Sequence, residues 1–376
     1  MVGLWGRLAE PGRVPALDGL RAIAIILVML RHGFREWNGD VVSGAWLSNF
    51  ALNGWVGVDL FFVLSGFFMG SHFFRNWPSA DAKLLFAGRY WLKRALRTLP
   101  LYYVVIFLII AGLFPFYKFE SYDFGYEMYV HAFFLQDYLG SRYLVALWSL
   151  ATEEKFYFIS PFLIFLVFGV NERLRLFVLF LLVFVPVCFR LMVLDAFSPD
   201  GYSSYFWQVR APFHMALDGL LVGLFVAAVC NYVSLNKVGF TRHGQLLMLA
   251  LLIILALLVS KPWMMDGDWY GAAWFTLGVS WLFGVVVYLA LDIKGAALRV
   301  LSNDLLIVIS RLSYALYLVH MLVLPLASKV VDLTAADSSF GVIGFSVVYV
   351  SLSFVIALLL HQVVERPFLK LKARIA

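Results

Sequence analysis

Residues 54–70 read Gly-Trp-Val-Gly-Val-Asp-Leu-Phe-Phe-Val-Leu-Ser-Gly-Phe-Phe-Met-Gly, and Asp59 is the one ionisable side chain among them. About 17–25 such apolar residues in a helix cross a bilayer. The whole chain has this character, since 63% of its 376 residues are hydrophobic and 14% are charged. Soluble domains carry about 25% charged residues. The composition indicates an integral membrane protein and excludes a soluble enzyme, a disulfide-rich secreted domain and a nucleic-acid-binding domain.

Apolar runs of spanning length recur along the chain and predict an all-α, polytopic transmembrane helical bundle of about ten spans. The predicted spans are 15–34, 52–74, 99–117, 148–169, 174–195, 212–234, 244–260, 271–291, 304–327 and 341–362. They fill nearly all of residues 1–376, so we expect a single integral membrane domain with no appended soluble domain. The stretch 126–147 is apolar enough to lie in the interface or to re-enter the membrane.

The Lys and Arg residues are distributed unevenly between the two sides of these spans. Eighteen of the 29 fall on the side of the amino terminus and six on the other side. Basic residues accumulate on the cytoplasmic side of membrane proteins, so both termini are predicted to be cytoplasmic. The net charge of +6 then reflects topology, and we expect lipid rather than nucleic acid as a partner. Arg7 and Arg13 precede the first run as in a signal peptide, but Asp18 and Arg21 within that run indicate a retained span.

Two ionisable residues of the first span are predicted to share one helix face. Arg21 and His32 are eleven residues apart, which is three helical turns plus about 20° and about 16 Å along the axis. Charged side chains inside a bilayer are costly and mark functional sites. We therefore expect Arg21 near the cytoplasm and His32 near the outside, on a common stripe.

Acidic residues occur in the outer parts of the second and fourth spans. Asp59 is expected at the level of His32, and Glu153 and Glu154 are adjacent in the fourth span. Neighbouring helical residues point about 100° apart, so at least one glutamate should face the bundle interior. Gly66 and Gly70 are interpreted as a helix-packing face.

A basic cluster follows the second span. Lys93, Arg94 and Arg97 lie within one predicted helical stretch, and residues three apart are neighbours on a helix. Such a cluster can clamp phosphate groups, but it is also typical of any positive cytoplasmic loop. Both interpretations stay open on composition alone.

Several other polar residues receive secondary interpretations. His214 and His320 map to outer span ends, where an isolated histidine is more often interfacial than catalytic. Glu365 and Arg366 are interpreted as a salt-bridged helix end before a stop at Pro367. Asp218 and Arg311 are intramembrane charges with no partner assigned by sequence.

At these residues the chain resembles the acyltransferase-3 family of membrane acyltransferases, which includes bacterial enzymes that O-acetylate cell-surface polysaccharides. The resemblance rests on six segments in order along the chain. They are Asp18-Gly-Leu-Arg21 with His32, Gly-Val-Asp-Leu-Phe-Phe-Val-Leu-Ser-Gly-Phe at 57–67, Lys93-Arg94-x-x-Arg97-x-x-Pro100, Trp148-Ser-Leu-x-x-Glu-Glu-x-Phe-Tyr157, Ser313-Tyr-x-x-Tyr-Leu-x-His320 and Glu365-Arg-Pro-Phe368. Lys155 stands where the family typically has Gln.

The resemblance implies an acyl-CoA-dependent O-acyltransferase of the bacterial inner membrane. Acetyl-CoA from the cytoplasm would donate an acetyl group to a hydroxyl of a carbohydrate or related acceptor, with no metal involved. The phosphates would be held by four basic residues: Arg21, Lys93, Arg94 and Arg97. His32 would be the base, and the candidate catalytic carboxylates that could assist it are Asp59, Glu153 and Glu154. Direct transfer and a covalent acyl-enzyme both remain possible.

Two other classes of function compete with this interpretation. A transporter or exporter would use the intramembrane charges as a substrate path, although no inverted repeat is apparent. A structural assembly subunit would explain the apolar bulk, but not an Arg and a His on one helix face. Release of free thiol from acetyl-CoA would discriminate the enzyme from both.

Overall fold

A computed structural model of the chain describes residues 14–38, 46–77, 82–118, 123–141, 143–232, 242–261, 267–333 and 339–375. Arg7 and Arg13 lie outside the described residues. The described part is helical, without a β-strand. The long helices are α1 (Pro15–Asn38), α3 (Val56–Asn76), α4 (Lys83–Ile110), α7 (Leu147–Phe168), α11 (Asp218–Tyr232), α12 (Arg242–Val259), α13 (Trp269–Ala290), α15 (Asp304–Val319) and α17 (Ser339–Leu360). The shorter ones are α2 (Trp46–Leu52), α5 (Phe124–Ala132), α6 (Gln136–Leu139), α8 (Glu172–Leu182), α9 (Val185–Ala196), α10 (Tyr202–Tyr205), α14 (Gly295–Leu301), α16 (Leu324–Leu333) and α18 (Arg366–Ala373).

Helix occupies each of the ten predicted span ranges, within the described residues. Five helical segments are long and apolar enough to cross a membrane: Trp46–Asn76, Glu172–Ala196, Trp269–Ala290, Asp304–Val330 and Gly341–Ala373. The protein is thus an all-helical membrane protein. The number of ten spans and the side of the termini stay predictions.

Helix boundaries differ from the prediction where proline lies near them. The range 174–195 is broken at residues 183–184 between α8 and α9, just before Pro186. Proline lacks a backbone N–H and clashes with the preceding turn, so it starts a helix more readily than it continues one. The predicted stop at Pro367 is wrong, because a π-helical turn at His361–Glu365 leads directly into α18. Pro367 sits in the first turn of that helix, where its missing N–H costs nothing.

The most extensive helix pair in the core is α3 against α11, and glycine makes this approach possible. A Cβ built on Gly66 would lie 2.0 Å from the carbonyl oxygen of Leu220, and one on Gly223 would lie 2.1 Å from the carbonyl oxygen of Val63. Backbone thus meets backbone where side chains would keep the helices apart. The predicted packing face at Gly66 is confirmed.

Three further helix contacts position the candidate site. Helix α1 packs against both α3 and α15, and α18 packs against α4. Helix α15 is capped at its amino terminus by Asn303, whose side chain accepts a hydrogen bond of 2.9 Å from the backbone N–H of Leu306. These pairings bring residues from both ends of the chain to the basic cluster of α4.

The stretch 126–147, which is predicted to lie in the interface or to re-enter the membrane, contains most of α5 and all of α6 and is held by a buried histidine. His131 is 1% exposed, with Nδ1 at 3.1 Å from the Tyr102 hydroxyl and Nε2 at 3.1 Å from Ser141 Oγ. Its ring stacks on Tyr143 with a centroid distance of 5.3 Å. Burial lowers the pKa of His131 to about 4, so at neutral pH the imidazole is uncharged and links α4 to this segment.

Candidate active site

A cavity of 360 Å³, here called the Arg94 cavity, lies among α1, α3, α4, α7 and α15. Its basic lining residues are Arg21, Lys93, Arg94, Arg97 and Lys372. The first four are the residues that the sequence predicts as phosphate-binding, and the structure brings them to one cavity although Arg21 is on a different helix. Lys372 was missed by sequence reasoning, because its position depends on α18 packing against α4. Asp18 and Glu153 add two carboxylates to the lining.

Glu153 faces the Arg94 cavity and is held there by two hydroxyl groups. Ser65 Oγ donates a hydrogen bond of 3.0 Å to Oε1, and the Tyr157 hydroxyl donates one of 3.2 Å to Oε2. The guanidinium of Arg94 lies 4.6 Å from the centroid of the Tyr157 ring. Glu154 does not line the cavity, and its Oε1 is buried without a hydrogen-bond partner. The two adjacent glutamates therefore have different surroundings, as the helical spacing predicts.

A second cavity of 260 Å³, here called the His32 cavity, contains the candidate base. The His32 and His320 rings lie side by side with a centroid distance of 5.2 Å. His320 Nδ1 is 2.8 Å from the backbone carbonyl oxygen of Tyr317. Because a carbonyl only accepts, Nδ1 carries the proton, and Nε2 of the neutral ring presents a lone pair. That Nε2 is buried and has no hydrogen-bond partner among the described residues. A histidine interpreted as interfacial is therefore fully buried beside His32.

The two cavities adjoin. Val58 and Tyr317 line both of them. The Tyr317 hydroxyl lies 2.6 Å from Ser149 Oγ and donates a hydrogen bond of 2.8 Å to the carbonyl oxygen of Ala146. Helix α1 lines one cavity with Arg21 and the other with His32. Tyr317 and Val58 thus form the partition between the Arg94 cavity and the His32 cavity.

The expected partnership between Asp59 and His32 does not occur. Asp59 is 1% exposed, and Oδ1 accepts a hydrogen bond of 2.6 Å from the Arg210 guanidinium. Within the described part of the chain, neither Asp59 nor Glu153 is hydrogen-bonded to His32. A buried carboxylate in an apolar interior is stabilised most by a cation, and Arg210, 151 positions away in sequence, supplies it.

Other polar residues also find partners that sequence did not assign. Asp218 is held by Arg190 through two hydrogen bonds of 2.6 and 2.7 Å. Lys155 forms an ion pair with Asp137. The predicted salt bridge at the end of the last span is replaced by a pair between His361 and Glu365 at 2.8 Å. These contacts stabilise the bundle around the two cavities.

The chain was compared with protein families, curated proteins and solved structures. A family model described as an acyltransferase domain, that of the acyltransferase-3 family, matches residues 14–362. Peptidoglycan O-acetyltransferase OatA of Listeria monocytogenes is 26% identical over 95% of this chain and 56% of the relative. O-acetyltransferase OatA of Staphylococcus aureus is 25% identical over 84% of this chain and 51% of the relative.

A protein of Staphylococcus aureus strain COL, provisionally named an O-acetyltransferase, is 24% identical over 95% of this chain and 57% of its own length. The chain thus spans about half the length of the curated relatives it matches. No solved structure matches it significantly. Because the family model covers nearly the whole chain, the protein belongs to the acyltransferase-3 family.

Proposed function

We propose that this protein transfers an acetyl group from acetyl-CoA to a hydroxyl of a carbohydrate acceptor. One observation carries the proposal: a cavity lined by five Lys and Arg side chains adjoins, across a partition of Val58 and Tyr317, a cavity lined by His32, whose ring contacts that of His320. A two-substrate transfer needs such a pair of adjoining sites, because the reacting atoms must meet while the two substrates enter separately. The O-acetyltransferase names of the relatives support the same reaction.

The Arg94 cavity fits the phosphate-bearing end of acetyl-CoA. Arg21 from α1 and Lys93, Arg94 and Arg97 from α4 bring positive charge to one cavity, and guanidinium groups bind phosphate oxygens in pairs. Lys372 adds a fifth cation. The thioester would then lie at the partition beside Tyr317, at the end of the cavity nearest His32.

His32 is the proposed base. It takes the proton from the acceptor hydroxyl as the oxygen bonds to the thioester carbonyl carbon. The carbon–sulfur bond breaks, and the protonated His32 returns that proton to the leaving sulfur of CoA. His320 is a positioning residue in this scheme, since its hydrogen bond to the Tyr317 carbonyl holds its ring against that of His32. Glu153 would act on the donor side, where it lines the Arg94 cavity.

The membrane orientation that suits this reaction has the Arg94 cavity open to the cytoplasm, where acyl-CoA is made. The excess of Lys and Arg in segments on that side supports it. We therefore propose ten spans with both termini cytoplasmic, in a bacterial plasma membrane.

The test measures free thiol released from acetyl-CoA, with labelled acetyl followed into a carbohydrate acceptor. Wild-type protein should do both, and His32→Ala should lower the rate by about 100-fold or more, the usual contribution of a general base. Unchanged thermal unfolding and acetyl-CoA binding in the variant would serve as controls. A His32→Ala protein that transfers acetyl at the wild-type rate contradicts the mechanism. If acetyl-CoA stays intact while a solute moves across the membrane, the result would favour a transporter.

A further inference from the structure

We propose that the acceptor carries a carboxylate, held by Arg31 in the His32 cavity, so that the physiological acceptor is an acidic sugar. This inference rests on the proposed function, because it identifies the substrate class of the same site. It is carried by a buried guanidinium that has no acidic partner among the described residues and by the chemistry of the cavity around it.

Arg31 is the unusual residue of the cavity. It lines the His32 cavity, and 4% of its surface is exposed. Its guanidinium donates one hydrogen bond to the backbone carbonyl of Leu52 and another, of 2.9 Å, to the Tyr202 hydroxyl. It also lies 5.5 Å from the centroid of the Tyr202 ring. Both acceptors are neutral, so in the described part of the chain the Arg31 charge is hydrogen-bonded but not neutralised.

Other buried cations of this bundle are neutralised. Arg190 is paired with Asp218, and Arg210 is paired with Asp59. Removing a charge from water costs several kcal/mol unless an opposite charge accompanies it. A buried Arg that faces a cavity without a carboxylate is therefore best explained by an anion that arrives with the ligand.

The rest of the cavity agrees with an anionic ligand. None of the described residues that line it is Asp or Glu, whereas three arginines line it: Arg31, Arg35 and Arg210. One Arg210 nitrogen, Nη1, is buried and has no hydrogen-bond partner among the described residues. The charged side chains of this lining are therefore all cationic.

Aromatic side chains in the lining favour a sugar as the carrier of this anion. Trp207, Phe206 and Tyr202 contribute to the cavity wall, together with Trp55 and Trp148. Aromatic rings pack against the apolar C–H faces of sugar rings, while the N–H and O–H groups at their edges bind hydroxyls. A ligand of this cavity should thus combine a ring with hydroxyl groups and a negative charge.

Charge matching favours a carboxylate over a phosphate. Arg210 already has Asp59 as its counterion, whereas the Arg31 guanidinium is hydrogen-bonded to two neutral acceptors, so Arg31 is the guanidinium to which we assign the single charge of the ligand. A carboxylate carries one negative charge, whereas a phosphate monoester carries about 1.5 to 2 at neutral pH. Arg31 is also adjacent in sequence to His32, and both line the same cavity. A carboxylate at Arg31 would therefore bring a nearby hydroxyl of the same sugar toward the base.

The experiment compares two acceptors that differ only in this group: a hexuronic acid oligosaccharide and the same oligosaccharide after reduction of its carboxyls to alcohols. Binding is measured by calorimetry without acetyl-CoA, and acetyl transfer is measured separately. Wild-type protein should bind the acidic form at least tenfold more tightly. Arg31→Gln should remove this preference, and Arg31→Lys should restore part of it. The matched control is Arg173→Gln, which removes an exposed arginine away from both cavities and should keep the wild-type preference.

Equal affinity of wild-type protein for both oligosaccharides would overturn the inference, as would an Arg31→Gln protein that still prefers the acidic form. Tighter binding of a hexose phosphate than of the hexuronic acid would overturn the choice of carboxylate. Because binding is measured without acetyl-CoA, the experiment can contradict this inference without contradicting the proposed function, and the reverse. Arg31-dependent binding without acetyl transfer would refute the proposed function alone, and acetyl transfer without an acidic preference would refute this inference alone.

Discussion

His32 and His320 illustrate how a buried imidazole is oriented without a carboxylate. The Tyr317 carbonyl accepts the Nδ1 proton of His320 at 2.8 Å, which fixes both the tautomer and the ring direction. The His32 ring lies against it with a centroid distance of 5.2 Å. The expected carboxylate partners are occupied elsewhere, Asp59 by Arg210 and Glu153 by Ser65 and Tyr157. Because the His320 ring is neutral, it does not oppose protonation of His32 as a second positive charge would.

Arg94 gives a test of the donor site at the scale of a single residue. Arg94→Gln should raise the KM for acetyl-CoA about 10- to 100-fold, since a hydrogen bond to a charged group contributes about 1.5–3 kcal/mol. The kcat should change little, because this contact lies away from the reacting atoms. The matched control is Arg89→Gln, which removes an exposed arginine of the same helix that does not line the cavity. An equal rise in KM for both variants would mean that the cluster acts only through its general positive charge.

At the scale of helices, the α3–α11 contact sets the position of Asp59 and Ser65 relative to the site. Gly66→Ala should destabilise the protein by about 1–3 kcal/mol, the usual cost of overpacking, because the new methyl would overlap the Leu220 carbonyl at 2.0 Å. Gly88→Ala on α4 is the matched control, since nothing lies within 4 Å of its Cβ position. Thermal unfolding in detergent measures both variants. A Gly66→Ala protein as stable as Gly88→Ala would show that the two helices can separate at little cost.

The α5–α6 segment should respond to acid through His131. Its folded pKa of about 4 is below the value of about 6.5 in an unfolded chain, so the unfolded state binds more protons between these values. Stability therefore falls as the pH drops through this range, by about 2 kcal/mol between pH 7 and pH 5. Unfolding midpoints at the two pH values measure the effect. His131→Gln should lose that part of the pH dependence, and an unchanged dependence in the variant would assign the effect to other groups.

At the scale of the whole molecule, the proposed orientation can be tested by labelling. Lys370 and Asp200 are exposed and lie on opposite sides of the predicted topology. In a background without the two free cysteines, Cys188 and Cys230, Asp200→Cys should react with an impermeant maleimide in intact cells. Lys370→Cys should react only after the membrane is permeabilised. The reverse pattern would turn the Arg94 cavity away from the cytoplasm and contradict acetyl-CoA as the donor.

The limits of sequence reasoning are visible in particular residues. The spacing of Arg21 and His32 predicts that α1 carries a cation and an imidazole on one face, about three turns apart, because rise and rotation per residue are the same in every α-helix. Lys93, Arg94 and Arg97 line one cavity, and their spacing on one helix already makes them neighbours for the same reason. The partner of Asp59, the burial of His320 and the contribution of Lys372 were not predictable in this way. Each depends on contacts between helices that are far apart in sequence.

The sequence by itself determined that the chain is an apolar, all-helical membrane protein with the segments of the acyltransferase-3 family, because composition and local spacing are properties of the chain alone. Only the tertiary structure decided that Arg21 and the α4 cluster line one cavity and His32 another, with Val58 and Tyr317 between them. It also decided that Arg31 faces the second cavity without an acidic partner among the described residues. The physical reason is that ion pairs and cavity walls arise from the packing of distant helices. Close approaches between helices, such as that of Gly66 to Leu220, decide which charged side chains come into contact. The spacing of residues along a single helix does not contain this information.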